Sequence, residues 1–220
     1  MKIIDFFRRL FGDRKALSNP GASDYKMAAS VQFDPFVVEN IRSVTAAPLS
    51  RLATEREVYY VAEGKTVLEL YKPHGLQFKA KQEEAEGMIR RLKEALHGNG
   101  YIVFRSEQKF GHGPDVIGII KSNDQFDILR CKGTEAPNYD IGSDALITTL
   151  KSWHAETPFE IMGADYDWLE ARLLKAPADW DAMAEKVYAL CPDVVEQGTL
   201  TVAALAAEMK ETGTLYLWWD

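Results

Sequence analysis

The chain has 220 residues, of which 46% are hydrophobic and 27% charged, and this balance excludes a largely disordered protein. Its two cysteines, Cys131 and Cys191, exclude a disulfide scaffold and a cysteine-based metal site. The low cysteine content indicates a reducing cytoplasm, and we expect neither metal nor cofactor. No segment reaches the roughly 18 to 20 apolar residues of a membrane-spanning helix.

The formal net charge of −7 is concentrated in the C-terminal third. Residues 142–220 contain 14 Asp and Glu against 5 Lys and Arg, whereas residues 1–141 contain 19 against 21. An acidic surface repels nucleic-acid phosphates and attracts basic proteins. We therefore expect a protein partner and no nucleic acid, although the acidic surface could also serve solubility alone.

Residues 1–34 predict an amphipathic helix followed by a linker. Apolar residues in the first eleven positions recur at helical spacing, and the interrupting charges argue against a signal peptide. The helix over residues 1–11 packs on its own domain, lies on an anionic membrane surface or docks onto a partner. The polar, turn-rich residues 13–34 indicate a surface loop.

Residues 35–99 predict an N-terminal portion that mixes helices and strands. Its expected elements are a short helix over 36–41, strands over 57–62 and 66–71, and a helix over 79–97. Two glycines, Gly98 and Gly100, mark the end of that last helix.

Residues 100–220 predict a C-terminal domain. The expected strands are 101–105, 116–121, 126–131, 159–162, 168–174 and 215–219. The expected helices are 144–155 with Ser143 as cap, one that starts after Asp179 and stops before Pro192, and 201–210. The pattern indicates an α+β fold, with a mixed or antiparallel sheet flanked by helices and the C-terminal strand docked into the sheet.

The last six residues carry the most informative pattern, because apolar and aromatic side chains are followed directly by Asp220. A flexible tail is polar, so this segment is expected to pack beside the bend that begins at Cys191. Aromatic walls next to polar groups form a partner hot spot or a small-molecule pocket. The candidate binding residues are Cys191, Asp193, Gln197, Trp218, Trp219 and Asp220.

Purely structural roles, without binding or catalysis, remain alternatives at several of these positions. Asp193 and Gln197 could simply satisfy backbone groups of an awkward connection. Cys191 stands at the C-terminal end of a helix, where the dipole disfavours a thiolate, so a buried structural cysteine is expected there.

Other polar residues outside that set are candidates for catalysis or metal binding. His112 lies in a turn-rich connector, and Asp165, Asp167 and Glu170 could form a cation site or an acid–base pair, or could be solvated turn carboxylates. No phosphate-binding loop, dinucleotide fingerprint or nucleophile elbow occurs, so the sequence predicts no catalytic residue.

Several short motifs occur in an order that carries a family resemblance. They are Asn-Tyr-Asp-Ile at 138–141, Cys-Pro-Asp at 191–193, Gln-Gly at 197–198 and Trp-Trp-Asp at 218–220. With these motifs, residues 100–220 resemble a bacterial family, domain of unknown function 4253. The family has no established activity, and its members are similar to small cytoplasmic proteins suspected of acting beside secreted toxins.

Three functional hypotheses follow from the sequence. The first is a cytoplasmic protein-binding module, such as an immunity protein that neutralises a basic toxin. The second is an enzyme of unknown reaction with a pocket around Cys191, Asp193, Gln197 and Asp220. The third is a membrane-surface adaptor anchored by residues 1–11.

Overall fold

The computed structural model describes residues 17–54, 57–62, 65–70 and 73–220. The predicted amphipathic helix over residues 1–11, and with it any membrane contact, lies outside the described residues. Within the described residues, no helix is long and apolar enough to cross a membrane.

The described chain alternates between helices and strands. The α-helices are α1 (Ala22–Ser30), α2 (Pro35–Val44), α3 (Gln82–Leu96), α4 (Asp127–Lys132), α5 (Ser143–Glu156), α6 (Trp180–Leu190) and α7 (Val202–Thr212). The strands are β1 (Ser50–Arg51), β2 (Glu57–Ala62), β3 (Lys65–Leu70), β4 (Gly75–Ala80), β5 (Tyr101–Glu107), β6 (Asp115–Lys121), β7 (Phe159–Ala164), β8 (Trp168–Leu173) and β9 (Thr214–Trp218). A 3₁₀ turn (Pro137–Tyr139) and a π-helix (Val194–Thr199) complete the described elements.

Seven of these strands form one mixed sheet in the order β1-β4-β6-β5-β7-β8-β9. Neighbouring strands run antiparallel except β5 and β7, which run parallel. Strands β2 and β3 form a separate antiparallel hairpin. The α+β prediction is confirmed, and the C-terminal strand is part of the sheet. The sheet contains strands from both sides of residue 100, and the proposed division into domains stays a prediction.

Two buried clusters lie on opposite faces of this sheet. Val103 belongs to the cluster that α2 and α3 share with β4 and β6. Its neighbour Phe104 belongs to the cluster formed by α4 to α7 with β7, β8 and β9. Successive residues of a strand point to opposite faces, so β5 contributes to both cores.

The same alternation positions the side chains of the last two strands. Leu169 and Leu217 are fully buried in the core formed with α4 to α7. Trp168 and Tyr216 therefore point to the other face of the sheet. Trp218, the last residue of β9, also packs against this core. Tyr216 and Trp218 are half-buried, and β9 is the edge strand.

The prediction of a strand over 126–131 is wrong, because this segment forms α4. The carboxylate of Asp124 accepts a hydrogen bond from the backbone N–H of Phe126 at 3.0 Å, which turns the chain into the helix. Gly133 then ends it with a φ of 66°. The side chains of Ile128, Leu129 and Lys132 are buried. The pattern of this short apolar run is compatible with either a strand or a helix. The turn at Asp124 directs the chain into the helix.

Other boundaries also differ from the predictions. The linker predicted over 13–34 contains helix α1, which packs against α2. Residues 79–80, assigned to a helix, belong to strand β4, and the helix begins only at Gln82. Ser143 does not cap α5, because the cap residue is Gly142.

Two local signals from the sequence are confirmed. Asp179 caps α6, where its carboxylate accepts hydrogen bonds from the backbone N–H groups of Asp181 and Ala182. The closing strand is also confirmed, since Gly213 ends α7 with a φ of 66° and β9 follows directly. Capping acts over a few residues, so sequence alone can locate it.

Candidate functional site

The C-terminal segment is docked into the fold, as the sequence predicts. In the ladder between β8 and β9, Trp168 lies opposite Trp218. The backbone N–H of Trp219 donates to the carbonyl of Asp167 at 2.9 Å. The Trp219 indole is 2% exposed, and its Nε1 donates to the carbonyl of Leu190 at 3.2 Å. This second tryptophan therefore anchors the terminus.

Asp193 joins three separate segments of the chain through its carboxylate. Its Oδ1 accepts from the Tyr139 hydroxyl at 2.7 Å and from Gln197 Nε2 at 3.1 Å. Its Oδ2 accepts from the backbone N–H of Asp220 at 3.1 Å. Asp193 is buried, so these three donors replace the water that an exposed carboxylate would bind.

Hydrogen bonding also determines the ionisation of this cluster. Burial alone would raise the pKa of Asp193, but the bonds from Tyr139, from the Asp220 backbone and from Gln197 outweigh it and lower that pKa. The bond to Asp193 raises the pKa of Tyr139 to about 12, with smaller contributions from burial and nearby charges. At neutral pH the pair is therefore a phenol donating to a carboxylate.

Cys191 makes a structural contact rather than a reactive one. It is fully buried, and its thiol donates to the carbonyl of Trp218 at 3.0 Å. Burial raises the pKa of the thiol to about 12, so very little thiolate forms near neutral pH. These properties favour the structural alternative stated from the sequence and disfavour a nucleophile.

The structure brings all six predicted residues to one region but divides them by accessibility. Cys191, Asp193 and Trp219 are buried and hold the terminus in place, whereas Gln197 and Asp220 are exposed and Trp218 is half-buried. The binding roles of these residues stay predictions. Sequence reasoning missed two further contacts: Tyr139 with Asp193, and the Asn138 side chain, which donates to the carbonyl of Asp220. The motif at 138–141 was the signal for both.

An aromatic groove lies beside the docked terminus, with a volume of about 210 Å³. The rings of Trp168 and Tyr216 are stacked, with centroids 6.2 Å apart and planes inclined by 16°. Phe110, in the connection between β5 and β6, is 60% exposed at this groove. We call this site the aromatic groove; it is lined by Phe110, Asp167, Trp168, Tyr216, Trp218, Trp219 and Asp220.

The electrostatic environment of the aromatic groove is negative. Among the described residues, neither Asp167 nor Asp220 forms a salt bridge. The pKa of Asp167 is raised, first by partial burial and then by the charges of Asp165 and Asp220. Burial, followed by the charges of Glu170 and Asp167, raises the pKa of Tyr216 to about 12.

A second, larger groove lies on the other side of the terminal strand. Its volume is about 510 Å³, and its walls come from the π-helix, from α7 and from β9. Leu205 and Met209 give it an apolar lining, and Glu208 adds a carboxylate. Both grooves include Tyr216 and Trp218. We call these two side chains the aromatic ridge, because they line both grooves.

The other acidic residues singled out from the sequence are engaged in ion pairs. Asp165 pairs with Lys132 at 2.9 Å, and Glu170 pairs with Arg105 at 3.1 Å. Lys132 is itself buried and also donates to the carbonyl of Ala53 at 3.0 Å. In the described part of the chain, no group of three or more His, Cys, Asp or Glu side chains could hold a metal ion. Asp165 and Glu170 therefore act as structural ion-pair partners.

The C-terminal region of the chain is similar to a known family. Residues 116–220 match the family model described as Domain of unknown function (DUF4253). The match confirms the resemblance inferred from the motifs, and it includes every residue of the aromatic groove except Phe110. Comparisons with curated proteins and with solved structures give no match.

Proposed function

We propose that this protein is a cytoplasmic bacterial protein-binding module of the immunity type, which holds a basic partner such as a toxin against its aromatic ridge. The observation that carries the proposal is the ridge itself: two half-buried aromatic side chains that line both grooves, beside carboxylates that form no salt bridge within the described residues. Tyrosine and tryptophan dominate the energetic centres of protein interfaces.

The way in which the ridge is held supports a binding role. Trp219 and Asp193 fix the terminal backbone through buried hydrogen bonds, so Trp218 is presented from a rigid strand. Binding to a rigid surface costs less conformational entropy than binding to a flexible tail. The excess of acidic residues over 142–220 adds long-range attraction for a basic partner.

The enzymatic alternative has weaker support from the same residues. A pocket around Cys191 and Asp193 would need accessible groups there, and both side chains are buried. The only sulfur nucleophile in that set has a pKa raised to about 12. Accessible aromatic surface with acidic neighbours suits recognition better than it suits nucleophilic chemistry.

The proposal is tested with the protein encoded beside this chain's gene, purified and titrated into this protein by calorimetry. We expect binding, and we expect Trp218→Ala to weaken it about 30-fold or more, as for a central interface residue. Leu174→Ala is the matched control, because Leu174 is an exposed apolar side chain away from both grooves.

Folding of both variants is checked by circular dichroism and thermal melting. In the cell, co-expression with a toxic neighbour should protect growth, and Trp218→Ala should abolish that protection while Leu174→Ala keeps it. Absence of binding by the wild-type protein, or equal affinity of the folded Trp218→Ala variant, would overturn the proposal.

A further inference from the structure

We propose that the aromatic groove receives the guanidinium group of an arginine side chain on the partner protein. This inference rests on the proposed function, because it names the chemistry by which the same surface would recognise a basic partner. It adds four residues that sequence reasoning left outside the candidate site: Phe110, Asp167, Trp168 and Tyr216.

The size of the groove fits one side chain rather than a whole small-molecule ligand. Its volume of about 210 Å³ lies below the roughly 300 to 1,000 Å³ of pockets that hold drug-sized ligands. A single long side chain inserted from a partner surface needs less room. The larger groove across the ridge remains available for the rest of the interface.

The walls of the groove have the composition that attracts a cation. The face of an aromatic ring carries partial negative charge, and cations within about 6 Å of a ring centroid are attracted to it. Five of the seven lining residues are aromatic, and Phe110 reaches the groove from a different segment than the others. A cation entering here would meet aromatic surface from β8, from β9 and from the β5–β6 connection.

Two carboxylates supply the complementary charge. Asp167 and Asp220 both line the groove and repel one another, which contributes to the raised pKa of Asp167. A bound cation would relieve this repulsion. Arg105, whose charge acts on the neighbouring Tyr216, is engaged by Asp115 at 3.2 Å and by Glu170 at 3.1 Å. Within the described part of the chain, no lysine or arginine forms a salt bridge with Asp167 or Asp220.

Arginine suits the groove better than lysine for a geometric reason. A guanidinium is planar, so it stacks on an aromatic face while its edge donates hydrogen bonds to carboxylates. An ammonium is compact and strongly hydrated and cannot stack in this way. The ring surface of the groove and its two carboxylates provide a stacking partner and acceptors together.

The test uses blocked tripeptides with a central arginine, lysine or citrulline, titrated into the full-length protein and followed by NMR of the tryptophan indole N–H groups. Citrulline keeps the shape of arginine and removes its charge. We expect the arginine peptide to bind in the millimolar range and the citrulline peptide about tenfold or more weakly. The lysine peptide should fall between them.

The same titration locates the site. The indole signals of Trp168 and Trp218 should shift, and those of Trp153 and Trp180 should not, since these two lie outside the groove. Shifts confined to Trp153 or Trp180, or equal binding of the arginine and citrulline peptides, would overturn the inference. So would a lysine peptide that binds as tightly as the arginine peptide.

Charge variants distinguish the effect of the two carboxylates at the groove from the effect of the overall negative charge of the protein. The double variant Asp167→Asn with Asp220→Asn should reduce arginine binding about tenfold. The control is the double variant Asp144→Asn with Asp181→Asn, which removes two exposed carboxylates elsewhere. Its net charge is therefore the same as that of the first double variant. Equal affinity of the two double variants would contradict the inference. Should the first double variant fail to fold, the NMR mapping on the wild-type protein still decides.

Failure of this inference and failure of the proposed function give different results. If the arginine peptide does not bind but the neighbouring protein still binds through Trp218, the groove assignment is wrong and the proposed function stands. If the arginine peptide binds as expected and the neighbouring protein does not, the groove is a cation site but the proposed partner is wrong.

Discussion

Replacement of Asp193 by asparagine tests whether this residue holds the terminus or contacts a partner. In the wild type, one carboxylate oxygen accepts from Tyr139 and Gln197, and the other accepts from the backbone N–H of Asp220. An asparagine side chain has one acceptor oxygen and one amide nitrogen. If the oxygen faces Tyr139 and Gln197, the amide faces the Asp220 N–H, and two donors oppose each other.

The magnitude follows from these contacts. The substitution removes one hydrogen bond to a charged acceptor and makes two others neutral, and a bond to a charged group contributes about 1.5 to 3 kcal/mol. We expect Asp193→Asn to lower the free energy of unfolding by about 3 kcal/mol. For a chain of this size, that loss corresponds to a decrease in Tm of about 6 to 12 °C. Gln197→Ala is the control, and we expect a loss below about 1 kcal/mol because Gln197 is exposed.

The assay is urea denaturation followed by tryptophan fluorescence at several pH values. The folded-state pKa of Asp193 lies below its unfolded value of about 3.9. Its stabilisation is therefore fully present above that unfolded value and is lost as the pH falls through the folded-state pKa. The wild type should lose this contribution on acidification, and the asparagine variant should lack it.

Two results would refute this reasoning. The first is an asparagine variant as stable as the wild type at pH 7, with the same dependence on acid. The second is an unchanged stability combined with a large loss of partner affinity, which would make Asp193 a contact residue instead of a structural one.

Two further predictions concern residues that define the fold around the site. Cys191 should resist alkylation in the native protein because its thiol is buried and has a raised pKa, so the half-buried Cys131 should react first. Mass spectrometry after iodoacetamide treatment shows the order of labelling, and early labelling of Cys191 would contradict its packing. Gly163→Ala should destabilise the protein by about 1 to 3 kcal/mol, because the added Cβ would lie 2.8 Å from the carbonyl oxygen of Arg105 where β5 and β7 pair. A chemical denaturation curve that matches the wild type would refute this prediction.

Part of the candidate site could be predicted from the sequence because it lies in contiguous motifs. The terminal aromatic run indicated docking, and Asp193 stands two residues after Cys191. The run is too apolar for a free tail, so its burial followed from composition alone. The helix cap at Asp179 followed from equally local chemistry.

The rest of the site depends on contacts between distant segments. Tyr139 and Asp193 are far apart in sequence, and only the folded chain brings the hydroxyl to the carboxylate. The same holds for Phe110 and Trp218, which meet at one groove across the sheet. No periodicity encodes such a pairing, because sequence patterns report the local faces of elements and not their neighbours.

The sequence by itself thus determined the element types over most of the chain, the α+β class and the burial of the C-terminal strand, since each depends on local composition and periodicity. Tertiary structure alone decided that β5 and β7 lie side by side, and that Trp219 is buried while Trp218 remains accessible. The physical reason is the contact between distant segments: the Trp219 indole donates to the carbonyl of Leu190, whereas Trp218 lies on an edge strand, and no local sequence pattern encodes this difference.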